Sequence, residues 1–284
     1  MRQGMAITNG KGGTLKTSLT ANLAGLVAAS DYRVLAIDLD PQGNLALDLG
    51  YDGDNGASLA GAVGMGLRPT VLTDVRPGLD VIAGGRLLSN VRLPEGDEEA
   101  VLRLRQALEP VVDDGSYDIV LLDCPPGEEM LQRAALAAVS WLVIPVALDR
   151  ASREGLQRVA RLYAQSRAGA NPQLAVLGGV LVNVDAPATR IREQARAAVA
   201  EDLGDVPVFE QTIRHATGPA VHGRAHGLLA HEVEGHATSL PRFWEEGYDP
   251  NQATVNRASS RNLAEDYQRL AEELLGAYAQ RAVA

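Results

Sequence analysis

The chain has 284 residues, and its hydrophobic share of 46% is enough for a substantial core. A chain of this length could form one large α/β domain or two small domains, and we favour a single domain over residues 1–284. The formal net charge of −10 excludes a surface that is basic all over, but leaves room for a local basic patch. Cys124 is the only cysteine, which excludes an intrachain disulfide, a CxxC redox pair and a thiolate metal cage.

Apolar, β-branched runs alternate with segments of helical period, which is typical of a mostly parallel twisted sheet with helices on both faces. Strands are predicted near Met5 to Thr8, Arg33 to Leu39, Leu79 to Ala83, Asp118 to Leu122, Trp141 to Ala147, Val176 to Val182 and Pro207 to Phe209. Helices are predicted near Thr17 to Ala29, Glu98 to Val112, Glu129 to Val139, Arg153 to Arg167, Ile191 to Leu203, Gly218 to Gly227 and Arg261 to Tyr278. Residues 50–70 and residues 232–257 are predicted to be irregular surface segments, the second as an insertion.

A glycine-rich segment, Gly10-Lys11-Gly12-Gly13-Thr14-Leu15-Lys16-Thr17-Ser18, joins the first predicted strand to the first predicted helix. Such a loop binds anions, because backbone N–H groups point inward and the helix dipole favours negative charge. Lys16 is expected to neutralise the β- and γ-phosphates of a nucleotide, and Thr17 to offer its hydroxyl to Mg²⁺. Lys11 and Lys16 are the only lysines among the 26 basic residues, which indicates a specific need for compact ammonium groups here.

Three motifs follow one another, each where a predicted strand ends. Lys11 to Thr17 match Lys-Gly-Gly-x-x-Lys-Thr/Ser, Asp38 to Asn44 read Asp-Leu-Asp-Pro-Gln-Gly-Asn, and Asp123 to Gly127 read Asp-Cys-Pro-Pro-Gly. The set resembles the deviant Walker A ATPases of the ParA/MinD family and is most similar to the ParA/Soj partition ATPases. The resemblance implies a P-loop NTPase fold that binds ATP and Mg²⁺ at the carboxyl edge of the sheet, where open α/β sheets bind ligands.

The resemblance also implies roles for the charged residues of these motifs. Lys11 would be the signature lysine, which reaches across an ATP-dependent homodimer to the ATP of the partner. Asp40 would position the attacking water, while Asp38 and Asp123 would hold Mg²⁺ through its water ligands. Two lysines, a metal ion and a carboxylate suffice for phosphoryl transfer, which needs neutralised oxygens and a water held in line.

Further positions match the family or depart from it. Pro125 to Gly127 would form a second switch beside the γ-phosphate. Asn183 resembles the position from which the family contacts adenine, although a strand-end cap would account for it as well. Leu15 stands where the family usually has glycine, so we expect a tighter loop and altered turnover. Arg214 stands where the family often has proline, which puts the local DNA-facing loop in doubt.

A ParA-like protein would be a weak ATPase for plasmid or chromosome partition. Its ATP-bound dimer would bind DNA without sequence preference, associate with the nucleoid and be stimulated by a ParB-like protein on a centromere site. A local basic patch would neutralise DNA phosphates, and its candidates are Arg190, Arg192, Arg196, Arg214 and Arg224. A solvated helix face accounts equally well for these arginines.

Two alternative functions within the family would require features that can be checked in the sequence. A MinD-like ATPase that positions cargo on a membrane needs a basic amphipathic C-terminal helix, but the apolar stripe of Leu263, Tyr267, Leu270 and Leu274 is flanked by acids and predicts packing against the domain. A redox relative is excluded, since a bridging iron–sulfur cluster needs two thiolates from each subunit. No apolar run approaches the roughly 20 residues that are needed to span a bilayer, and the first predicted strand leaves no room for a signal peptide. We therefore expect a cytoplasmic protein without membrane contact.

Overall fold

The computed structural model describes residues 1–92, 97–112, 115–147, 150–184, 193–194, 196–197, 199–201, 206–240 and 256–282. The strands are β1 (Gly4–Ile7), β2 (Val34–Asp38), β3 (Leu72–Arg76), β4 (Leu79–Ile82), β5 (Ile119–Asp123), β6 (Trp141–Ala147), β7 (Ala175–Val184) and β8 (Val208–Arg214). The helices are α1 (Lys16–Ala28), α2 (Leu45–Leu49), α3 (Ala57–Met65), α4 (Glu98–Val112), α5 (Glu129–Ala138), α6 (Arg150–Ala168), α7 (Thr217–His226), α8 (Ala230–Ser239) and α9 (Arg257–Ala282), with a 3₁₀ turn at Arg86–Asn90.

These strands form an eight-stranded sheet in the order β3-β4-β2-β5-β1-β6-β7-β8. Neighbouring strands are parallel except for β3, which is antiparallel to β4. Strands β1, β2 and β5 are buried along their whole length, as expected for central strands that are covered on both faces. The mostly parallel α/β sheet predicted from the sequence is therefore confirmed.

An apolar core covers each face of the sheet. On one face α3, α4 and α5 contribute the fully buried Leu59, Leu104 and Leu136. On the other face α1 and α9 contribute the fully buried Leu19 and Leu270. Each fully buried leucine contributes roughly 1.5–3 kcal/mol relative to an exposed one, so the fold rests on these two cores. None of the described helices is both long enough and apolar enough to cross a membrane.

The segment over residues 50–70 was predicted to be irregular but contains a helix, and this part of the prediction is wrong. Helix α3 lies within residues 50–70, where the Asp54 carboxylate accepts hydrogen bonds from the N–H groups of Gly56 at 3.0 Å and Ser58 at 2.8 Å. Its glycines lower the intrinsic helix propensity, but burial of Leu59 and its neighbours outweighs that loss.

Helix α8 covers residues 232–239 of the second segment, while residues 241–255 lie outside the described residues. Its first turn is capped by Glu232, whose carboxylate accepts a hydrogen bond from the Leu229 N–H at 2.7 Å. Of the helix predicted near Ile191 to Leu203, residues 193–194, 196–197 and 199–201 are helical and the others are not among the described residues. The short strand β3 was not predicted, because it lies at the edge of the sheet and none of its five residues is fully buried.

The strand order brings the three sequence motifs to one edge of the sheet. Strands β2, β5 and β1 are adjacent, and Asp38 at the end of β2 pairs in register with Asp123 at the end of β5. Asp123 also pairs with Ile7 of β1, from which the glycine-rich loop departs. The carboxyl edge of the sheet therefore holds the candidate site.

Candidate functional site

The glycine-rich loop between β1 and α1 is anchored at its entrance by Asn9, a residue that the sequence reasoning missed. The buried Asn9 amide donates to the Pro145 carbonyl oxygen at 2.6 Å, and its side-chain oxygen accepts from the Lys11 N–H at 3.0 Å. Helix α6 packs closely on this turn, because a Cβ on Gly155 would lie 2.4 Å from the Asn9 oxygen. A polar residue directly between a buried strand and a Gly-Lys pair was the sequence signal for this anchor.

Lys16, the first residue of α1, points back into the loop. Its ammonium donates to the Lys11 carbonyl oxygen at 2.8 Å and lies 3.4 Å from the Thr14 hydroxyl. Only 5% of the residue is exposed, and burial lowers the pKa of Lys16 although the nearby Asp123 carboxylate opposes this. An ammonium has three donors, so Lys16 can also donate to an anion in the loop.

Leu15 holds an unusual backbone conformation directly before this lysine. Its φ of 55° and ψ of 23° are left-handed, a conformation that costs a non-glycine residue roughly 1–2 kcal/mol. Because glycine adopts it freely, the geometry explains why the related motif carries glycine at this position. The side chain is partly buried and packs against the core that contains α1.

The carboxylates of Asp38 and Asp123 are both fully buried at the strand ends. Asp38 accepts hydrogen bonds from the Asp40 N–H at 2.9 Å and the Leu45 N–H at 3.2 Å. Burial nevertheless raises the pKa of Asp38 to about 7. Because the Leu45 N–H opens α2, the start of that helix is attached directly to the Asp38 carboxylate.

Asp123 differs from Asp38 in lacking partners. Neither of its oxygens has a hydrogen bond of normal geometry among the described residues. Burial and the Asp38 carboxylate raise the pKa of Asp123 well above its ordinary range, while the nearby Thr17 hydroxyl and Lys16 ammonium lower it in part. A buried carboxylate without partners is unfavourable unless a cation compensates it. The residues present therefore fit a hard cation such as Mg²⁺, for which carboxylate and hydroxyl oxygens are suitable ligands.

A cleft of about 370 Å³ lies beside these groups. One side is formed by residues 13–18 and the other by Asp40, Gln42, Asn44 and Pro126. Asp40 is 7% exposed and is held by the Gln42 N–H, which donates to its carboxylate at 2.8 Å. The cleft thus combines backbone donors, a buried ammonium and carboxylates at the end of a parallel sheet.

Asn183 lies near the loop, at the end of β7. Its amide donates to the Gly13 carbonyl oxygen at 3.2 Å, and its φ is 57°. A second cavity of about 250 Å³ lies here between α1, α7 and α9, with Asn183, Leu15 and Pro219 among its lining residues. The structure therefore brings Asn183 to the glycine-rich loop.

Three of the arginines suggested for DNA form ion pairs within the chain: Arg196 with Glu210 at 2.8 Å, Arg214 with Asp266 at 2.6 Å, and Arg224 with Asp48 at 2.8 Å. Arg190 and Arg192 lie outside the described residues. DNA binding by these arginines therefore stays a prediction, to which the geometry of the described ones adds no support.

A parallel sheet with this loop and these carboxylates defines a P-loop protein of the deviant Walker A class. The AAA_31 family model, an AAA domain, matches residues 2–176. The chromosome partitioning protein ParA of Caulobacter vibrioides is 37% identical over 223 residues, which cover 76% of this chain and 83% of that protein. The chromosome-partitioning ATPase Soj of Thermus thermophilus is 34% identical over 247 residues, with 81% and 94% covered.

Among solved structures, a variant of McdA from Cyanothece in complex with ATP matches with a TM-score of 0.74 over 97% of this chain and 96% of that chain. At 20% identity this likeness shows the fold alone. The extent of the sequence matches shows more: the chain belongs to the ParA/MinD family of ATPases.

Proposed function

We propose that the protein is a ParA-type partition ATPase, which hydrolyses ATP to ADP and phosphate with Mg²⁺ as its cofactor. The observation that carries the proposal is the buried carboxylate of Asp123, which has no hydrogen bond of normal geometry among the described residues and lies near Lys16, at the edge of a glycine-rich loop. A cation brought by a triphosphate would compensate that carboxylate. The names of the relatives, a partitioning ParA and a partitioning ATPase, support the same function.

The residues of the loop and the strand ends divide the binding of ATP between them. Backbone N–H groups of residues 10–18 would bind the phosphates, and Lys16 would neutralise the β- and γ-oxygens. Thr17, Asp38 and Asp123 would hold Mg²⁺, which supplies further neutralisation of the phosphate charge when bound.

Hydrolysis would need Asp40 and a second copy of the chain. Asp40 lines the cleft and would align the attacking water. Lys11 would reach the ATP of the partner in an ATP-dependent homodimer. Val221, which lines the cleft and is 63% exposed, is an apolar side chain that such a dimer would cover.

The nucleoside would occupy the cavity beside Asn183. This cavity continues from the phosphate loop, and its apolar wall suits the flat face of a base. One N–H of the Asn183 amide donates to the loop carbonyl of Gly13, so its second N–H and its side-chain oxygen would remain for adenine.

The ATP-bound dimer would bind nonspecific DNA on the nucleoid, and a ParB-like centromere-binding protein would stimulate hydrolysis. These finer statements rest on the similarity to partition proteins. Arg196, Arg214 and Arg224 are each paired with a carboxylate of the same chain, so a DNA surface that uses Arg190 and Arg192 or a dimer-dependent arrangement would not have to break these pairs.

The MinD-like alternative depends on a C-terminal helix that is available to a membrane. In the structure Leu263, Tyr267, Leu270 and Leu274 of α9 are buried against the sheet and its neighbours. The predicted packing of this stripe is confirmed, which favours partition over membrane positioning.

A gel shift with nonspecific duplex DNA would test the partition function, run with ATP and Mg²⁺, with ADP and Mg²⁺, and without nucleotide. We expect retardation of the DNA only in the presence of ATP and Mg²⁺. The affinity for DNA should decrease with increasing salt concentration if phosphate contacts dominate. Sedimentation with anionic vesicles in the same three conditions is the matched measurement. ATP-dependent binding to vesicles without binding to DNA would instead establish the membrane alternative.

A further inference from the structure

Asp48 of helix α2 connects the phosphate loop to helix α7. One of its oxygens accepts a hydrogen bond from the Ser18 hydroxyl at 3.0 Å, and the other accepts from Arg224 Nε at 2.8 Å. The Asp48 side chain is 9% exposed, while that of Arg224 is 44% exposed. The three residues belong to α1, α2 and α7, so a single buried carboxylate ties three helices together.

This connection reaches the place where phosphates would lie. Ser18 is in the first turn of α1, where N–H groups have no partner within the helix and favour anions. Ser18 and Arg224 also line the phosphate cleft. A nucleotide bound there therefore lies beside a buried negative charge, and Arg224 is the group that neutralises it.

We propose that Asp48 and Arg224 are positioning residues of the nucleotide site: Asp48 orients the Ser18 hydroxyl, and Arg224 neutralises Asp48 so that the phosphates are not repelled. The inference rests on the proposed nucleotide function of this cleft. It gives Arg224 a role inside the protein instead of on a DNA-binding surface. It also links α7 to nucleotide binding, because Arg224 can neutralise Asp48 only while α7 keeps its position.

If Arg224 acts by neutralising Asp48, removal of the Asp48 charge should restore the ATP affinity that is lost when Arg224 is replaced. In Arg224→Gln the Asp48 carboxylate loses its counter-charge beside the phosphates, and we expect ATP affinity to fall about tenfold. Asp48→Asn removes the charge but leaves an amide oxygen that can accept from Ser18, so this variant should bind ATP at least as tightly as the wild type. The double variant should return to within about threefold of the wild type, since no unpaired charge remains.

Titration with a fluorescent ATP analogue would measure these affinities, with thermal unfolding recorded for each variant. Arg76→Gln is the matched control: it removes an arginine that bonds Glu232 at 2.7 Å and the carbonyl of Leu49, the residue after Asp48, at 2.8 Å, and that is not among the residues that line the phosphate cleft. We expect this control to lower the melting temperature while ATP affinity stays within about twofold.

The proposal is overturned if the double variant binds ATP as weakly as Arg224→Gln, because the arginine would then act only through the packing of α7. It is also overturned if Arg224→Gln keeps wild-type ATP affinity and loses DNA affinity. Lys16→Ala tests the proposed nucleotide function independently of the roles of Asp48 and Arg224. If the wild type binds the ATP analogue and Lys16→Ala does not, the nucleotide site is established whatever affinity the double variant has.

Discussion

The aspartates at the two ends of strand β5 differ in exposure and in hydrogen bonding. At the amino end, Asp118 accepts a hydrogen bond from the Arg33 N–H at 2.8 Å, and its side chain is 45% exposed. At the carboxyl end, Asp123 is fully buried, and neither oxygen has a hydrogen-bond partner among the described residues. The same residue type thus accepts a backbone hydrogen bond at one end and is a buried carboxylate without a hydrogen bond of normal geometry at the other.

The contrast extends to the neighbouring strands. At the amino edge the Ser140 hydroxyl donates to the Met1 carbonyl oxygen at 3.0 Å, and the buried Asn171 amide donates to the Leu136 carbonyl oxygen at 2.7 Å. These polar groups of the amino edge are satisfied within the protein, whereas Asp123 at the carboxyl edge has no hydrogen bond of normal geometry among the described residues. Substitutions at the carboxyl edge should remove function without loss of stability, and substitutions at the amino edge should do the reverse.

The largest effect is expected from Lys16→Ala. Loss of the buried ammonium removes the principal positive charge beside the phosphates, so nucleotide binding should become unmeasurable, a loss of at least about 100-fold. Titration with a fluorescent ATP analogue would measure it. Lys11→Ala is the control, since it removes the other lysine and should lose dimerisation but keep ATP binding by the monomer. Unchanged ATP affinity in Lys16→Ala would contradict the assignment of this loop as the nucleotide-binding site.

Asp40→Ala should separate binding from hydrolysis at the same edge. Without the carboxylate that aligns the water, we expect phosphate release to slow by about 100-fold, while ATP affinity stays close to that of the wild type. Size-exclusion chromatography with ATP and Mg²⁺ should then show a persistent dimer. Wild-type turnover in this variant would show that another group positions the water.

Asp123→Asn tests the cost of the buried charge. Folding raises the pKa of Asp123 above its unfolded value near 3.9, so the folded protein binds more protons than the unfolded chain and stability falls as pH rises. Asp38, with a pKa of about 7, adds to the same trend between about pH 4 and pH 7. Without Mg²⁺ and nucleotide, Asp123→Asn should therefore be more stable than the wild type at pH 8, and the gain should disappear near pH 4.

Urea unfolding at several pH values would measure this gain. Asp118→Asn, at the other end of β5, is the matched control and should lose roughly 0.5 kcal/mol because it weakens the contacts with Arg33. If both variants lose stability at pH 8, the two ends of the strand do not differ as the structure indicates.

The sequence predicted the central part of this architecture well, because buried parallel strands are continuous apolar runs. The strand over Trp141 to Ala147 and the helix over Glu98 to Val112 agree with the structure at both ends. Helix α3 was missed because tertiary burial, which a local pattern does not contain, stabilises a glycine-rich segment. For the same reason the site was predicted as a set of residues, but not the contact of Asp48 with Ser18 and Arg224, which are far apart in the chain.

The smallest effect concerns Leu15, where the sequence predicted a tighter loop and the structure shows a left-handed backbone. Leu15→Ala removes apolar packing and keeps the backbone strain, whereas Leu15→Gly removes both. We therefore expect Leu15→Gly to be more stable than Leu15→Ala by about 1 kcal/mol, the reverse of their order within a helix. Urea unfolding of the two variants would measure the difference, with Gly276 of α9, where an added Cβ meets nothing within 4 Å, replaced by Ala as a test of ordinary helix behaviour. If Leu15→Ala is the more stable variant, the loop does not hold the left-handed conformation in solution, and the altered turnover expected from Leu15 would need another cause.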